Sequence, residues 1–419
     1  MRPDAAKEAL MRVLIADKLP PFVTARLEAA GCQVSAEPAL SGDSLTEALR
    51  QQDPDVLVVR STKVAAAHIA AARSLSLVIR AGAGVNTIDL PSASRRGVFV
   101  ANCPGKNAVA VAELTLGHLI NLDRRIVENV ATLRAGQWDK KGLGKARGLF
   151  GRTLAVLGAG QIGREVIARA QAFGMHIRAF DKTLTEEEAE ALGVTRCATA
   201  LEACLGADAL TVHLPLAPDT RGIVSAELLN ALQPGAYVVN TARGGLVDEV
   251  ALREAVRTRG LRAGLDVYEH EPTAASGPFD DPIASDTAIY GTHHVGASTD
   301  QASDSVAAET ARIIEEYKKT GRPPNCVNIA EHSPATHLLV VRHADRVGVL
   351  ARILDALRAA ETNVQEMENI VFSGAEAACA HIHCDQAPNA DVLAAINARD
   401  DVYAVTVVSL LPTTKGSPA

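Results

Sequence analysis

The sequence predicts an α/β protein of two doubly wound parallel-sheet lobes followed by a small C-terminal βαββαβ unit of the ferredoxin-like type. Three observations carry this expectation. Short runs rich in Val, Ile and Leu, apolar throughout rather than alternating, recur between Met11 and Asp266, as strands covered on both faces require. Amphipathic helical patterns separate those runs. Beyond Gly321, Pro323 and Pro324 the order changes to strand, helix, strand, strand, helix, strand.

Taken in order, residues 1–10 show little periodicity and read as a leader. The first lobe is expected over 11–107, with strands at 12–16, 56–60, 77–80 and 98–101 and a helix from Pro21 to Ala30. A long helical pattern over 108–135 and a loop of glycines and lysines at 136–148 lead into the second lobe, which spans 108–298. Its strands are expected near 153–157, 176–180, 209–213, 236–240 and 262–266. A helix over 299–320, stopped by Gly321, opens a return segment, 299–328, assigned to the first lobe. A linker at 329–334 precedes the terminal unit, 335–412, and 413–419 reads as a tail. Within that unit strands are expected at 336–343, 363–372, 377–384 and 402–411, and helices at 348–360 and 390–398. Open edges of such a sheet invite pairing with a second copy.

Composition narrows the function. The chain has 419 residues, enough for two or three domains. Its formal charge is −7 with no long basic run, which argues against nucleic acid as a partner. No apolar stretch reaches the length of a membrane span, and Asp4 and Glu8 interrupt the N-terminal segment where a secretory signal needs an apolar core. A cytoplasmic setting without membrane association is expected. The seven cysteines include no CxxC pair and read as small buried hydrophobes.

The strongest local signal is Gly158-Ala159-Gly160-Gln161-Ile162-Gly163, placed between a strand and a helix. Glycines there permit a tight turn and close backbone approach, and the helix N-terminus faces a pyrophosphate. Asp181 ends the following strand, where a carboxylate accepts from a ribose hydroxyl and repels a 2′-phosphate. The cofactor expected is therefore NAD rather than NADP, with Lys182 beside Asp181 allowing some tolerance, and 108–298 is the Rossmann-type NAD-binding domain. Three further segments place polar residues at strand ends: Asn240 to Gly245, Asp266 to Pro272 and Thr292 to Ala297. In an open α/β sheet such loops converge on the ligand crevice.

Together, VRST at 59–62, AGAGVNTID at 81–89, VAELTLG at 111–117, the glycine motif, NTARGGLVDE at 240–249, GLDVYEHEP at 264–272 and HHVGAST at 293–299 resemble the D-isomer-specific 2-hydroxyacid dehydrogenase family from about Arg12 to Asn328. The resemblance implies a flavodoxin-like first lobe that binds substrate. It implies that Arg243 holds the substrate carboxylate, that His294 is the acid–base group, and that Glu271 orients its imidazole. Asp266 is expected at the nicotinamide end, with Thr241, Ala242, Gly296 and Ala297 along the cofactor. Glu269 lies close to Glu271, and His293 stands where relatives usually have Pro, so two histidines compete for one role. Substrate contacts are expected from Arg60, Ser61, Gly84, Val85 and Asn107. A phosphate pocket drawn from Arg60, Lys63, Lys106, Trp138, Lys140 and Lys141 is expected, with Lys140 reaching from a neighbouring subunit.

The terminal unit, through His343-Ala344-Asp345-Arg346-Val347-Gly348-Val349-Leu350, resembles an ACT module. This implies feedback binding of serine at a subunit interface through His343, Asp345 and Asn363, in a homodimer or homotetramer. A purely structural dimerisation module is the rival. Cys379, His381 and His383 share one strand face and read as a sheet surface, so no metal is expected. The resemblance implies NAD-dependent oxidation of a small phosphorylated hydroxy acid. Another D-2-hydroxy acid, or a non-catalytic NAD-sensing role, remains open.

Overall fold

The structure, a computed structural model, describes residues 10–272, 276–330 and 333–410; nearly all of the expected leader and the whole expected tail lie outside them. Two compact units divide the chain between Asn328 and Ile329.

The first unit begins with β1 (Met11–Ile15), α1 (Phe22–Ala29), β2 (Cys32–Ala36), α2 (Gly42–Gln52), β3 (Val56–Val59), α3 (Ala66–Ala71), β4 (Leu77–Arg80), α4 (Leu90–Arg95) and β5 (Phe99–Asn102). These strands form a parallel sheet in the order β2-β1-β3-β4-β5. Both faces are covered, which is why β3 and β4 are continuous apolar runs. β2 goes beyond the sequence expectation: as an edge strand it is buried only in part and lacks such a run.

The chain continues through α5 (Ala108–Arg124), α6 (Ile126–Arg134), α7 (Lys140–Leu143), β6 (Thr153–Leu157), α8 (Gln161–Ala172), β7 (His176–Phe180), α9 (Glu186–Leu192), β8 (Thr195–Arg196), α10 (Ala200–Cys204), β9 (Ala209–Val212), α11 (Ala226–Ala231), β10 (Tyr237–Asn240), α12 (Glu249–Arg259), β11 (Arg262–Leu265) and β12 (Ile289–Gly291). The second sheet has the order β12-β11-β10-β9-β6-β7-β8. Its direction of winding reverses between β6 and β9, which opens a crevice at the carboxyl ends of those strands. α13 (Asp300–Thr320) then returns to the first sheet. Thr299 caps it by accepting from the Ala302 amide, and its Val306, Ile313 and Ile314 join the core of that sheet.

The helix expected over 108–135 is in fact two. Asp123, buried at the end of α5, accepts from the Arg147 and Gly148 amides and from the Tyr237 hydroxyl. Arg125 follows in a left-handed conformation with φ +51°, and α6 beyond it buries none of its residues. The chain turns where its apolar support from the sheet ends. Five of the seven cysteines are buried and all are free thiols, and among the described residues no helix is long and apolar enough to cross a membrane.

The second unit contains β13 (His337–Ala344), α14 (Val349–Ala359), β14 (Val364–Val371), β15 (Ala377–Cys384), α15 (Ala390–Asn397) and β16 (Val402–Ser409). Its antiparallel sheet runs β14-β15-β13-β16. Leu339, Val341, Ala380 and Ile382 face Val349, Ile353 and Leu357 in one core, an arrangement consistent with an ACT-like domain. On β15 the residues Cys379, His381 and His383 lie on the half-buried face and Cys384 on the buried one, and among the described residues no group of three such side chains is placed to hold a metal.

One ion cluster secures the return of α13. Glu309, buried, accepts from Arg312 at 2.6 Å and 3.0 Å and from Asn325 at 2.8 Å, with Lys106 Nζ at 3.5 Å. The Arg312 contact leads in holding its carboxyl down to about 2, against the opposing effect of burial. A depressed folded-state pKa stabilises above the unfolded value and is lost as pH falls through the folded one. Denaturation of Glu309→Gln against the native chain should therefore show a deficit at neutral pH that shrinks as pH falls from about 4.5 towards 2.

Candidate active site

A cleft of about 850 Å³ lies at the carboxyl ends of the two sheets of the first unit, with Arg80, Gly84, Asn107, His213, Arg243 and His294 among its walls. Its dinucleotide side follows from the glycine motif. Gly158, at φ +100°, sits so close to the end of β9 that a Cβ there would stand 2.7 Å from the His213 carbonyl oxygen. A Cβ on Gly163 would collide with the Gly158 oxygen, so only glycine lets α8 seat against the turn after β6. Asp181 closes β7, accepting from the Ala159 amide at 2.9 Å and from the Thr183 amide and hydroxyl, both at 2.8 Å. Burial alone would lift its carboxyl; the Thr183 and Ala159 bonds outweigh it and keep the pKa below the usual value. Lys182 is paired with Asp219. The cradle, the helix N-terminus and an ionised Asp181 fit NAD.

Across the cleft, His294 Nδ1–H donates to Glu271 Oε2 at 2.8 Å. Glu271 Oε1 accepts from the Tyr268 amide at 3.0 Å, so the acid is fixed before it touches the imidazole. Burial opposes ionisation of Glu271, yet the bonds from His294 and Tyr268 and the charge of Arg243 prevail and hold its pKa below the carboxylate norm. Glu269 turns away to Arg221, 3.3 Å off. His294 itself sits at φ +52°, a conformation that a preceding Pro does not impose and His293 does not forbid. Arg243 follows β10; Asn240 Nδ2 donates to its carbonyl at 2.8 Å, and a side chain on Gly84 would meet its Nη2 at 2.9 Å.

Asp266 does more than line the cleft. Its buried carboxylate accepts from the Val295 amide at 2.9 Å, the Gly296 amide at 2.8 Å and the Thr292 hydroxyl at 2.6 Å, while its carbonyl accepts from the His294 amide at 2.8 Å. The loop that presents His294 is thus wound around one anion.

Of the expected substrate contacts, Gly84, Val85 and Asn107 line the cleft, and the buried Asn107 Oδ1 has no partner among the described residues. Thr241, Ala242, Ile162, Gly296 and Ala297 line it too. Arg60 and Ser61 lie outside that lining; their amides donate to Asp17. Lys106 is engaged with Glu309. Lys140 stands on α7, with Trp138, at a second depression of about 750 Å³. Arg80 and His213 are polar cleft residues outside the sequence reading. Arg80 ends β4 inside the cleft, its Nε donating to the Arg60 carbonyl at 2.9 Å; burial first, then the charges of Arg243 and Arg60, lower its pKa. His213 follows β9, its Nε2 2.9 Å from Thr211 Oγ1. Both are legible only as polar residues closing apolar strands.

In the second unit the three expected effector residues do not converge. His343 is buried, with ring nitrogens at Ala344 O and Asn369 Oδ1. It pairs with Ala378 of β15, whereas Asn363 precedes Val364, which pairs with Cys384. The six strand steps between Ala378 and Cys384 span about 20 Å.

Residues 116–296 match the family description "D-isomer specific 2-hydroxyacid dehydrogenase, NAD binding domain". The chain belongs to this family. It is similar to D-3-phosphoglycerate dehydrogenase of Methanocaldococcus jannaschii, 39% identical over 322 residues, which are 76% of this chain and 60% of that one. The chain thus spans about 60% of the length of this curated relative. Among solved structures, the TT0316 protein of Thermus thermophilus matches with TM-score 0.66 and 32% identity, over 76% of this chain and 100% of that one. NAD+-bound 3-phosphoglycerate dehydrogenase of Entamoeba histolytica matches with TM-score 0.63 and 26% identity, over 77% and 99%. The second sheet of the first unit therefore carries the family's NAD-binding domain.

The cradle can be tested by itself. Gly163→Ala should abolish NADH binding, followed by nucleotide fluorescence, while leaving circular dichroism unchanged; retained binding would mean that α8 does not need this contact.

Proposed function

We propose that the chain is an NAD-dependent D-2-hydroxyacid dehydrogenase that oxidises D-3-phosphoglycerate to 3-phosphohydroxypyruvate, the first step of serine synthesis. The observation that carries this is the His294–Glu271 pair facing the same cleft as Arg243, beside a glycine cradle built for a dinucleotide. Arg243 binds the substrate carboxylate and polarises the C2 oxygen. His294 Nε2, which has no hydrogen-bond partner among the described residues, takes the hydroxyl proton, and Glu271 stabilises the imidazolium formed. NAD, when bound, would supply the acceptor for the C2 hydride, so that the substrate becomes a keto acid and its hydroxyl proton stays on His294. Residues 11–107 with 299–328 hold the substrate, and 108–298 hold NAD.

The phosphate reading rests on the names of the similar proteins and on Arg80. That half-buried guanidinium, whose pKa burial and the charges of Arg243 and Arg60 lower, has no carboxylate within ion-pair distance among the described residues, so a second substrate anion beside the carboxylate would relieve it. A phosphate-free D-2-hydroxy acid is the second reading, favoured by Lys106 being paired with Glu309 and Lys140 lying outside the cleft. α6 exposes Ile126, Val127, Val130 and Leu133 near Trp138, a surface suited to a second copy, and a homodimer or homotetramer follows. The 335–412 module binds serine as feedback ligand, with His343 and Asp345 of one copy facing Asn363 of another, because one copy cannot bring them together.

NADH absorbance with a panel of D-3-phosphoglycerate, D-lactate and D-glycerate distinguishes the readings. Phosphoglycerate should be preferred, and Arg80→Met should raise its KM far more than that of D-lactate. Equal effects would favour the phosphate-free reading, and no turnover of any member would leave only a nucleotide-binding role. Serine should inhibit and give heat on titration; a silent titration with unchanged activity would reject the effector site.

A further inference from the structure

The loop that carries His294 is held from behind by a residue outside the cleft. His118 lies on α5, buried, so tightly against β11 that a Cβ on Gly264 would stand 2.7 Å from its Cβ and Cγ. Its Nε2 is 3.3 Å from Thr292 Oγ1, and that hydroxyl is 2.6 Å from Asp266 Oδ1. The proton positions follow. An ionised Asp266 can only accept, so the single Thr292 proton goes to it, and Thr292 can only accept from the ring. His118 therefore carries its proton on Nε2. The opposite nitrogen, Nδ1, is buried without a partner among the described residues, so a second proton there would be an unpaired buried donor. Burial, opposed by the charge of Asp266, keeps the ring below its ordinary pKa.

We propose that His118 is a positioning residue for catalysis: through Thr292 it fixes the rotamer and proton of the hydroxyl that completes the Asp266 cage, and so sets where His294 meets Glu271. The inference rests on the dehydrogenase reading. Tyr268 adds a second tie to the same loop, its hydroxyl 3.2 Å from the Thr292 carbonyl oxygen, so loss of His118 loosens the loop without releasing it.

The test compares His118→Leu, His118→Gln and Thr292→Val with the native chain. In His118→Leu and Thr292→Val, kcat should fall about tenfold with NADH affinity unchanged. His118→Gln, whose amide can donate to Thr292, should restore most of the loss. Adding His118→Leu to Thr292→Val should cost nothing more, because both break one connection. Independently of activity, the Val295 and Gly296 amides should exchange with deuterium faster in Thr292→Val. Unchanged exchange and kcat, or equal losses in His118→Leu and His118→Gln that add fully to Thr292→Val, would overturn the proposal. Absence of turnover in the native chain would instead overturn the dehydrogenase reading and leave the brace to be judged by exchange alone.

Discussion

A buried carboxylate must be surrounded by donors, and the cleft is built around one, Asp266. Stripping it of water costs several kcal/mol unless hydrogen bonds replace the lost hydration. Two amides and a hydroxyl from residues 292–296 supply them. The requirement acts on the loop as much as on the anion: the chain after β12 must curl back over the end of β11, and its fourth tie, from the His294 amide, leaves that residue in a left-handed turn with its ring at the cleft.

The other parts of the cleft obey the same economy of strand ends. β6 and β9 diverge at the switch point and set the glycine turn against the His213 carbonyl; β7 delivers Asp181, β10 delivers Arg243 and β4 delivers Arg80. Each is a polar residue at or just beyond the carboxyl end of a parallel strand, where packing leaves room. Arg243 and Glu271 then influence one another electrostatically, although the polypeptide brings them in from different strands.

Much of this is readable in the sequence because burial on both faces writes itself as uninterrupted Val, Ile and Leu. The expected bounds of β6, β7 and β15 match the structure to the residue, and the glycine motif with Asp181 locates the dinucleotide side. Edges are harder: β2 is only partly covered, and β8 and β12 are too short to show a pattern. The break at Arg125 is invisible, since helix propensity continues through it and only the buried Asp123 and the lack of buried residues on α6 mark the turn. Residue type and spacing alone leave Glu271 beside Glu269, one residue apart, and only the resemblance selects it; in the structure Glu271 meets His294 and Glu269 meets Arg221. The separation of His343 from Asn363 likewise emerges only from antiparallel register.

The most direct measurement is turnover and NADH affinity of Asp266→Asn, which preserves size but replaces an acceptor with a donor inside the cage. The expected result is a fall in kcat of about a hundredfold, the scale on which misplacing a catalytic group acts, with NADH still bound. Turnover close to that of the native chain would contradict the central role of this anion, and so would a loss of NADH binding large enough to account for the whole effect.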